Sequence, residues 1–181
     1  MNADPHDLSA HPDLGPLGAR MRSEWAQEQD DAAADAREQF QRHQSFRDWL
    51  IAAMHAGDRL AITVVEQRFT GTVEEIGDDL IGLRAMFGRV DIHIAPGIPL
   101  QIEVEDHPTS GGRRGNTDVS FAAALAARDP DADTSIGTVY NPQGIDGVMT
   151  AGADFVISKA KAGAVTVVPM SQIAWVANRR T

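Results

Sequence analysis

The spacing of apolar residues along the chain changes abruptly at Gly57. Upstream, from about Arg22 to Ala56, no glycine or proline occurs and apolar residues recur every three to four positions, which predicts a long helix. Its apolar face is thin in QEQDDAAADAREQ and dense in FRDWLIAAM, so the first part is expected to face solvent or a partner. Downstream, five short segments rich in β-branched residues alternate between apolar and polar positions, which predicts five strands joined by tight turns.

This pattern occurs a second time about 75 residues later, where DGVMTAGADFVISK (146–159) repeats the spacing of TGTVEEIGDDLIGL (70–83). The matched pairs are Ser45 and Ser120, Phe46 and Phe121, Leu50 and Leu125, Gly71 and Gly147, Gly77 and Gly152, Asp79 and Asp154, Val90 and Val165, and Ile98 and Ile173. Turn glycines and inward strand positions are the features that a duplicated domain retains. The sequence therefore predicts two similar β units, each preceded by a helix.

The repeat divides the chain into five segments. We predict a disordered tail over 1–18, rich in Pro, Gly and Asp, and an acidic helix over 19–44. A first helix plus barrel follows over 45–105, a Gly/Ser-rich linker over 106–117, and a second helix plus barrel over 118–181. The barrel is inferred from five short strands with tight turns after a helix, a pattern typical of small, strongly bent sheets.

Composition narrows the possible functions. The formal net charge of −10 repels phosphate backbones at long range and disfavours general nucleic-acid binding. The absence of cysteine excludes disulfides, thiol catalysis and Cys-ligated metals. No apolar run has the length of a membrane helix, and the N-terminus lacks the pattern of a secretory signal, so a cytoplasmic protein without membrane contact is expected.

The segment FTGTVEEIGDDLIGL, set among five predicted strands after a helix, resembles the Sm-like branch of the SH3-type barrels. The resemblance implies that Gly71 lies at a sharp bend of the second strand and that Gly77, Asp78 and Asp79 form the next turn. Over about 20–178 the chain resembles an uncharacterised actinobacterial family of tandem Sm-like barrel proteins with an N-terminal helix, some of which carry a transcriptional-regulator label. The fold implied is mainly β, with two tandem Sm/SH3-like five-stranded bent barrels, each preceded by an α-helix.

The RNA-binding features of Sm proteins are missing from both copies. Those proteins resemble one another in an Asn that follows the turn Asp and in a basic loop between the last two strands. Here GDDLIGL has no Asn and HIAPGIP has no Arg or Lys, and GADFVIS and VPMSQIA of the second copy lack both features. The Sm-type uridine pocket is therefore not expected in either unit.

The sequence contains no recognisable catalytic, cofactor-binding or metal-binding constellation. Asp78 and Asp79 have the chemistry of a general base or metal ligand, but adjacent aspartates in a tight turn are expected to serve the turn itself. The six histidines are scattered, and His93 alternates with isoleucines, which predicts an outward side chain. Ser158 and Ser171 have no evident His or Asp companion for nucleophilic catalysis.

The three tryptophans have different expected roles. Trp49 is expected to pack over the end of the first barrel, and Trp175 to lie in the core of the second. Trp25 lies where the long helix has few apolar neighbours, so it is the candidate anchor for a protein partner. The alternative is that Trp25 folds back onto the protein's own barrel.

Three functional hypotheses follow. The first is a non-enzymatic binding or scaffold protein that presents barrel and helix surfaces to an unknown protein partner and uses no cofactor. Because each small unit buries little area and leaves open sheet edges, we expect either that the two units pack against each other or that the protein forms a homodimer. The second is an Sm-like nucleic-acid-binding regulator, which requires the basic residues to gather on one face: Arg113, Arg114, Lys159, Lys161, Arg179 and Arg180. An enzyme is the third, and it requires a deep pocket with convergent polar groups.

Overall fold

The structure is a computed structural model that describes residues 14–108, 111–112 and 115–178. Its contacts divide the chain into two compact units, Met1–Ser45 and Phe46–Thr181. The first unit contains helix α1, Leu14–His43, and the side chains from 19 to 35 are all exposed. The helix begins before residue 19, where the sequence placed its start, because the N–H groups of a first turn need no partner within the helix and the turn tolerates Gly and Pro.

The second unit contains the remaining helices and all ten of the strands that the described residues form. Its first half, 46–106, consists of α2 (Phe46–Ala56), β1 (Arg59–Val64), β2 (Gln67–Ile76), β3 (Leu80–Ala85), β4 (Gly88–His93) and β5 (Leu100–Asp106). Its second half, 119–178, consists of α3 (Phe121–Ala126), β6 (Asp133–Thr138), β7 (Ile145–Ala151), β8 (Phe155–Lys159), β9 (Val165–Pro169), a 3-10 turn (Met170–Gln172) and β10 (Ile173–Asn178). The prediction of a mainly β fold with helices is confirmed.

The ten strands form one open antiparallel sheet in the order β5-β1-β2-β3-β4-β10-β6-β7-β8-β9. Each half places its last strand beside its first, so the order of the first half is repeated in the second. The halves join where β4 pairs with β10, a contact that we call the seam. The expectation that the two repeats pack together is confirmed by this pairing, which leaves β5 and β9 as the edges of the sheet.

One glycine in each half allows its strand to lie close to a neighbouring strand. A Cβ atom on Gly71 of β2 would overlap the carbonyl oxygen of Arg84 on β3. A Cβ atom on Gly147 of β7 would lie 2.6 Å from the carbonyl oxygen of Lys159 on β8. Both approaches exclude a larger side chain. Because the matched glycines meet the same constraint, their repetition in the sequence reflects strand packing.

Two apolar cores lie under the sheet, and each takes residues from the other half. Leu80 of β3 is fully buried in the core of the second half. Trp175 of β10 packs in the core of the first half, with its ring 5.0 Å from that of Phe69, so its predicted place in the second core is wrong. The reason is geometric: side chains alternate across a strand, and β10 lies between β4 and β6, so one of its faces covers the first half. Trp49 is partly buried against the first core.

No helix within the described residues is both long enough and apolar enough to cross a membrane.

Candidate functional site

Trp25, the predicted partner anchor, lies on α1 with 67% of its surface exposed. Nearby, Arg20 forms an ion pair with Glu24 at 3.4 Å, one turn apart on the same helix. An exposed tryptophan on a polar helix has the amphipathic character of interface anchors. Its role as an anchor stays a prediction.

The basic residues predicted for the nucleic-acid alternative fall into two groups. Arg113, Arg114, Arg179 and Arg180 lie outside the described residues. Lys159 is exposed at the end of β8, and Lys161 lies in the turn that follows. The Nζ atom of Lys161 is 2.6 Å from Oδ2 of Asp133, so one of the two described lysines has a carboxylate partner within the chain.

Asp78 and Asp79, which the sequence assigned to a turn, also make contacts far along the chain. Oδ1 of Asp79 accepts the backbone N–H of Phe121 at 2.8 Å, at the first residue of α3. Oδ1 of Asp78 lies 3.4 Å from Nε of Arg47. They line a cleft of about 510 Å³ together with Arg47, Thr117, Asp118, Val119 and Ser120. In the described part of the chain, no cluster of three or more His, Cys, Asp or Glu residues is placed to hold a metal ion.

His93 is buried, with 8% of its surface exposed, so its predicted outward orientation is wrong. Its ring stacks on that of Phe121 at 4.4 Å between centroids. Its Nδ1 atom lies 3.0 Å from the carbonyl oxygen of Ile173, an acceptor that requires a proton on this nitrogen. The alternation of β4 suggested one wet face, but Phe121 of α3, in the second half, covers the face that carries His93.

A buried ionic network, which the sequence pattern did not predict, lies at the seam. Both carboxylate oxygens of Asp91, a residue with no exposed surface, accept hydrogen bonds: Oδ1 from Nε of Arg89 at 2.7 Å and Oδ2 from Nε of Arg128 at 2.8 Å. Arg128 also donates to the carbonyl oxygen of Val176 at 2.8 Å and to Oδ1 of Asn178 at 2.6 Å. It therefore ties β4 to β10. The available signal was an aspartate inside the apolar strand RVDIHIA.

Charge is balanced in this network. Burial lowers the pKa of the Arg128 guanidinium, and the adjacent Asp91 carboxylate opposes that shift. Burial also disfavours the charge of Arg89, but hydrogen bonds to Glu75 and Asp91 hold its pKa above the ordinary value. Arginine remains charged at physiological pH. The buried carboxylate thus faces two cations, and loss of Asp91 would leave Arg128 unpaired at the seam.

Strand register shows which positions of the two halves correspond. Ile81 of β3 pairs with Ile92 of β4, and Val156 of β8 pairs with Val168 of β9 in the same place. Leu80 and His93 then correspond to Phe155 and Pro169, and Asp91 corresponds to Val167. The predicted match of Val90 with Val165 is wrong by one residue, because the β8–β9 turn is longer: Ala160 donates to the carbonyl oxygen of Ala164 around it.

Corresponding positions differ sharply in exposure. Leu80 is fully buried, whereas Phe155 is 37% exposed. Asp91 has no exposed surface, whereas Val167 is 60% exposed, as is Val165. The seam covers β4, but no described residue of the chain covers β9 in the same way. We define the β9 surface as Phe155, Val165, Val167 and Pro169, an apolar strip along an open strand edge.

The opposite end of the sheet shows the complementary difference. Phe121 at the start of α3 is fully buried at the seam, whereas Phe46, which matches it at the start of α2, is 47% exposed. The edge strand β5 at this end of the sheet is polar: Arg68 donates to Oε2 of Glu103 at 2.8 Å and to Oε1 of Glu105 at 3.2 Å. We define the α2–β5 surface as Phe46 together with the free edge of β5.

Comparisons with protein-family models, with curated proteins and with solved structures found no match to this chain.

Proposed function

We propose that this chain is a non-enzymatic binding protein, a scaffold that presents the β9 surface to a protein partner. The observation that carries the proposal is the exposure of Val165 and Val167, each 60% exposed on an edge strand. A strand edge of this kind offers unpaired backbone N–H and C=O groups beside apolar side chains. When a protein binds an additional strand at a sheet edge, it uses backbone groups of this kind for hydrogen bonds and the neighbouring side chains for specific contacts.

The contacts of the polar groups at the seam favour a structural role for these groups over a catalytic one. Asp91 and Arg128 are engaged with each other and with the backbone of β10. The described cleft carries Asp78 and Asp118, both paired with Arg47 at 3.4 and 3.8 Å. A carboxylate committed to an arginine is a poor general base. A binding role for the protein therefore accounts for the geometry better than an enzymatic one.

We further propose that each half is an Sm/SH3-like bent barrel and that the chain is related to actinobacterial tandem Sm-like proteins. The repeated strand order, with the last strand beside the first, supports this. The matched close approaches at Gly71 and Gly147 support it as well, since strongly bent sheets need small residues where strands approach. The nucleic-acid alternative has one described feature, the exposed Lys159 near Lys161, and Lys161 is already paired with Asp133.

A pull-down from host lysate tests the proposed function. The baits are the full chain, a Val167→Asp variant, and a Tyr140→Asp control, which changes an 82% exposed residue in the turn between β6 and β7. We expect one or more proteins to bind the full chain and the control, to survive nuclease, and to be lost with Val167→Asp. Retention that needs intact nucleic acid, or that is unchanged by Val167→Asp, would contradict the proposal.

A second bait, residues 46–181, tests the role of Trp25. This bait lacks the whole first unit. If a nuclease-resistant protein binds the full chain but not this bait, a Trp25→Ala variant of the full chain is expected to lose it too, because a truncated tryptophan removes most of an anchor's contact area. If Trp25→Ala retains that protein at full level, Trp25 is not the anchor.

A further inference from the structure

We propose that the partner of the β9 surface is the α2–β5 surface of a second copy of this chain. The inference deepens the proposed function and rests on it, because it names the occupant of the same surface. It starts from the seam, which is a contact between two halves of the same strand order. In the seam, β4 of one half pairs with the last strand of the other, and a helix of that other half lies over β4.

The surfaces needed to repeat the seam remain free at the two ends of the sheet. β9 is the counterpart of β4, and β5 is the counterpart of β10. In the seam Val176 is opposite Asp91. Val176 pairs with Ile136 of β6, and Ile102 pairs with Ile62 of β1 in the same place, so Ile102 is the counterpart of Val176. Because Val167 is the counterpart of Asp91, Ile102 of a second copy would lie opposite Val167. This pairing would cover the exposed apolar strip of β9 and remove both open edges.

The helix contact has matching parts as well. In the seam, Phe121 stacks on His93 and its backbone N–H donates to Asp79. The corresponding residues are Phe46 of the second copy, Pro169 and Asp154. The turn at Asp154 is built as at Asp79: their carbonyl oxygens accept from Met170 and Ile94, each at 2.8 Å. The exposed Phe46 at one end of the sheet thus has a matching contact site at the other end, formed by Pro169 and the turn at Asp154.

Charge along the strands favours the same register. Antiparallel pairing of Ile102 with Val167 places the acidic end of β5, Glu105 and Asp106, beside the turn that follows the exposed Lys159 and carries Lys161, which is also paired with Asp133. The seam itself aligns its strands in this antiparallel sense. Opposite charges at matching positions steer association and select register.

Two differences from the seam predict a weaker contact. Trp175 and Ala177, which enter the first core, correspond to Gln101 and Glu103, so less apolar surface is buried. The Asp91–Arg128 pair has no counterpart, since Val167 stands at the position of Asp91. We therefore expect a reversible, concentration-dependent assembly. The contact is heterologous, and repetition leads to a ring if the rotation closes and to a filament if it does not.

The test uses the purified full chain in sedimentation velocity over a range of concentrations. The wild-type chain is expected to assemble as concentration rises. Val167→Asp and Phe46→Asp are each expected to weaken association at least about tenfold, because each replaces an apolar contact by a charge. Tyr140→Asp serves as the matched control and is expected to assemble like the wild type. Circular dichroism verifies that each variant is folded, and Val165→Asp replaces Val167→Asp if the latter is not.

The decisive experiment mixes the two variants. Val167→Asp retains the α2–β5 surface and Phe46→Asp retains the β9 surface, so an equimolar mixture should form a 1:1 complex that neither variant forms alone. A wild-type chain that is monomeric at all concentrations, or a mixture without this complex, overturns the inference. If the wild type is monomeric but a lysate protein still depends on Val167, the partner is a different protein and the proposed function stands.

Discussion

β4 and β9 hold the same place in the two halves of the sheet, yet one is covered and the other is open. β4 carries Asp91 and His93, and both are buried by β10 and α3. β9 carries Val167 and Pro169 at those positions, and both are exposed. The polar residues are thus found where a fixed intramolecular contact satisfies them, and apolar residues are found on the free edge. A buried ion pair requires complete pairing, which a fixed contact within the chain supplies, whereas apolar side chains on an edge strand leave no charge unpaired when they face solvent.

The largest expected difference between β4 and β9 is in the loss of folding stability when Asp91 or Val167 is replaced. Asp91→Ala should lower the free energy of unfolding by about 3–5 kcal/mol, because the guanidinium of Arg128 would stay buried without its carboxylate. Val167→Ala, measured in a Phe46→Asp background that blocks docking of a second copy, should change it by about 0.5 kcal/mol or less. Urea unfolding of both variants checks this. Equal effects would mean that the seam network does not distinguish β4 from β9.

A smaller difference is expected at Leu80 and Phe155, the first residues of β3 and β8. Leu80→Ala should cost about 2–5 kcal/mol, because the side chain is fully buried in the core of the other half. Phe155→Ala should cost roughly half as much or less in the monomer, since part of its ring already lies in solvent. Thermal or urea unfolding in the Phe46→Asp background measures both. A larger loss at Phe155 would contradict the assignment of its exposed face to a partner.

The sequence predicted the parts of this fold that depend on local pattern. The alternation from Gly57 onward located β1 to β5, and the repeat located the matching strands of the second half. The glycines of the repeat were also visible in the sequence, and the structure places Gly71 and Gly147 where neighbouring strands approach closely. These features are encoded within a few residues of where they act.

The seam was not predictable in the same way, because it depends on contacts between distant parts of the chain. Nothing near Trp175 indicates that β10 pairs with β4, and the helical spacing of FAAALAARD does not indicate that Arg128 reaches Asp91. For the same reason His93 was assigned to a wet face that the second half covers. The β9 surface was not predicted either. The sequence of β9 has the pattern of an ordinary strand, and its exposure stands out only when it is compared with the buried strand β4.

The smallest expected effect concerns β5, the edge strand that carries exposed ion pairs with Arg68. The hydrogen bond from Arg68 lowers the pKa of the Glu105 carboxyl, with Thr70 and Arg59 acting in the same direction. A carboxyl group with a lowered pKa in the folded state adds stability above its unfolded pKa, near 4.3. That contribution is lost as pH falls through the lower, folded value. The pair is exposed, so salt should weaken it.

A double-mutant cycle of Arg68→Gln and Glu105→Gln measures this contribution, with unfolding followed at a series of pH values. We expect a small favourable coupling at pH 7 that declines as the pH falls below about 4, and that is reduced by added salt. In the cycle each single variant is the control for the other, so changes at the remaining carboxylates cancel. Coupling that persists when Glu105 is protonated would show that β5 is held by packing, as β4 is, and that charge does not distinguish the two edges of the sheet.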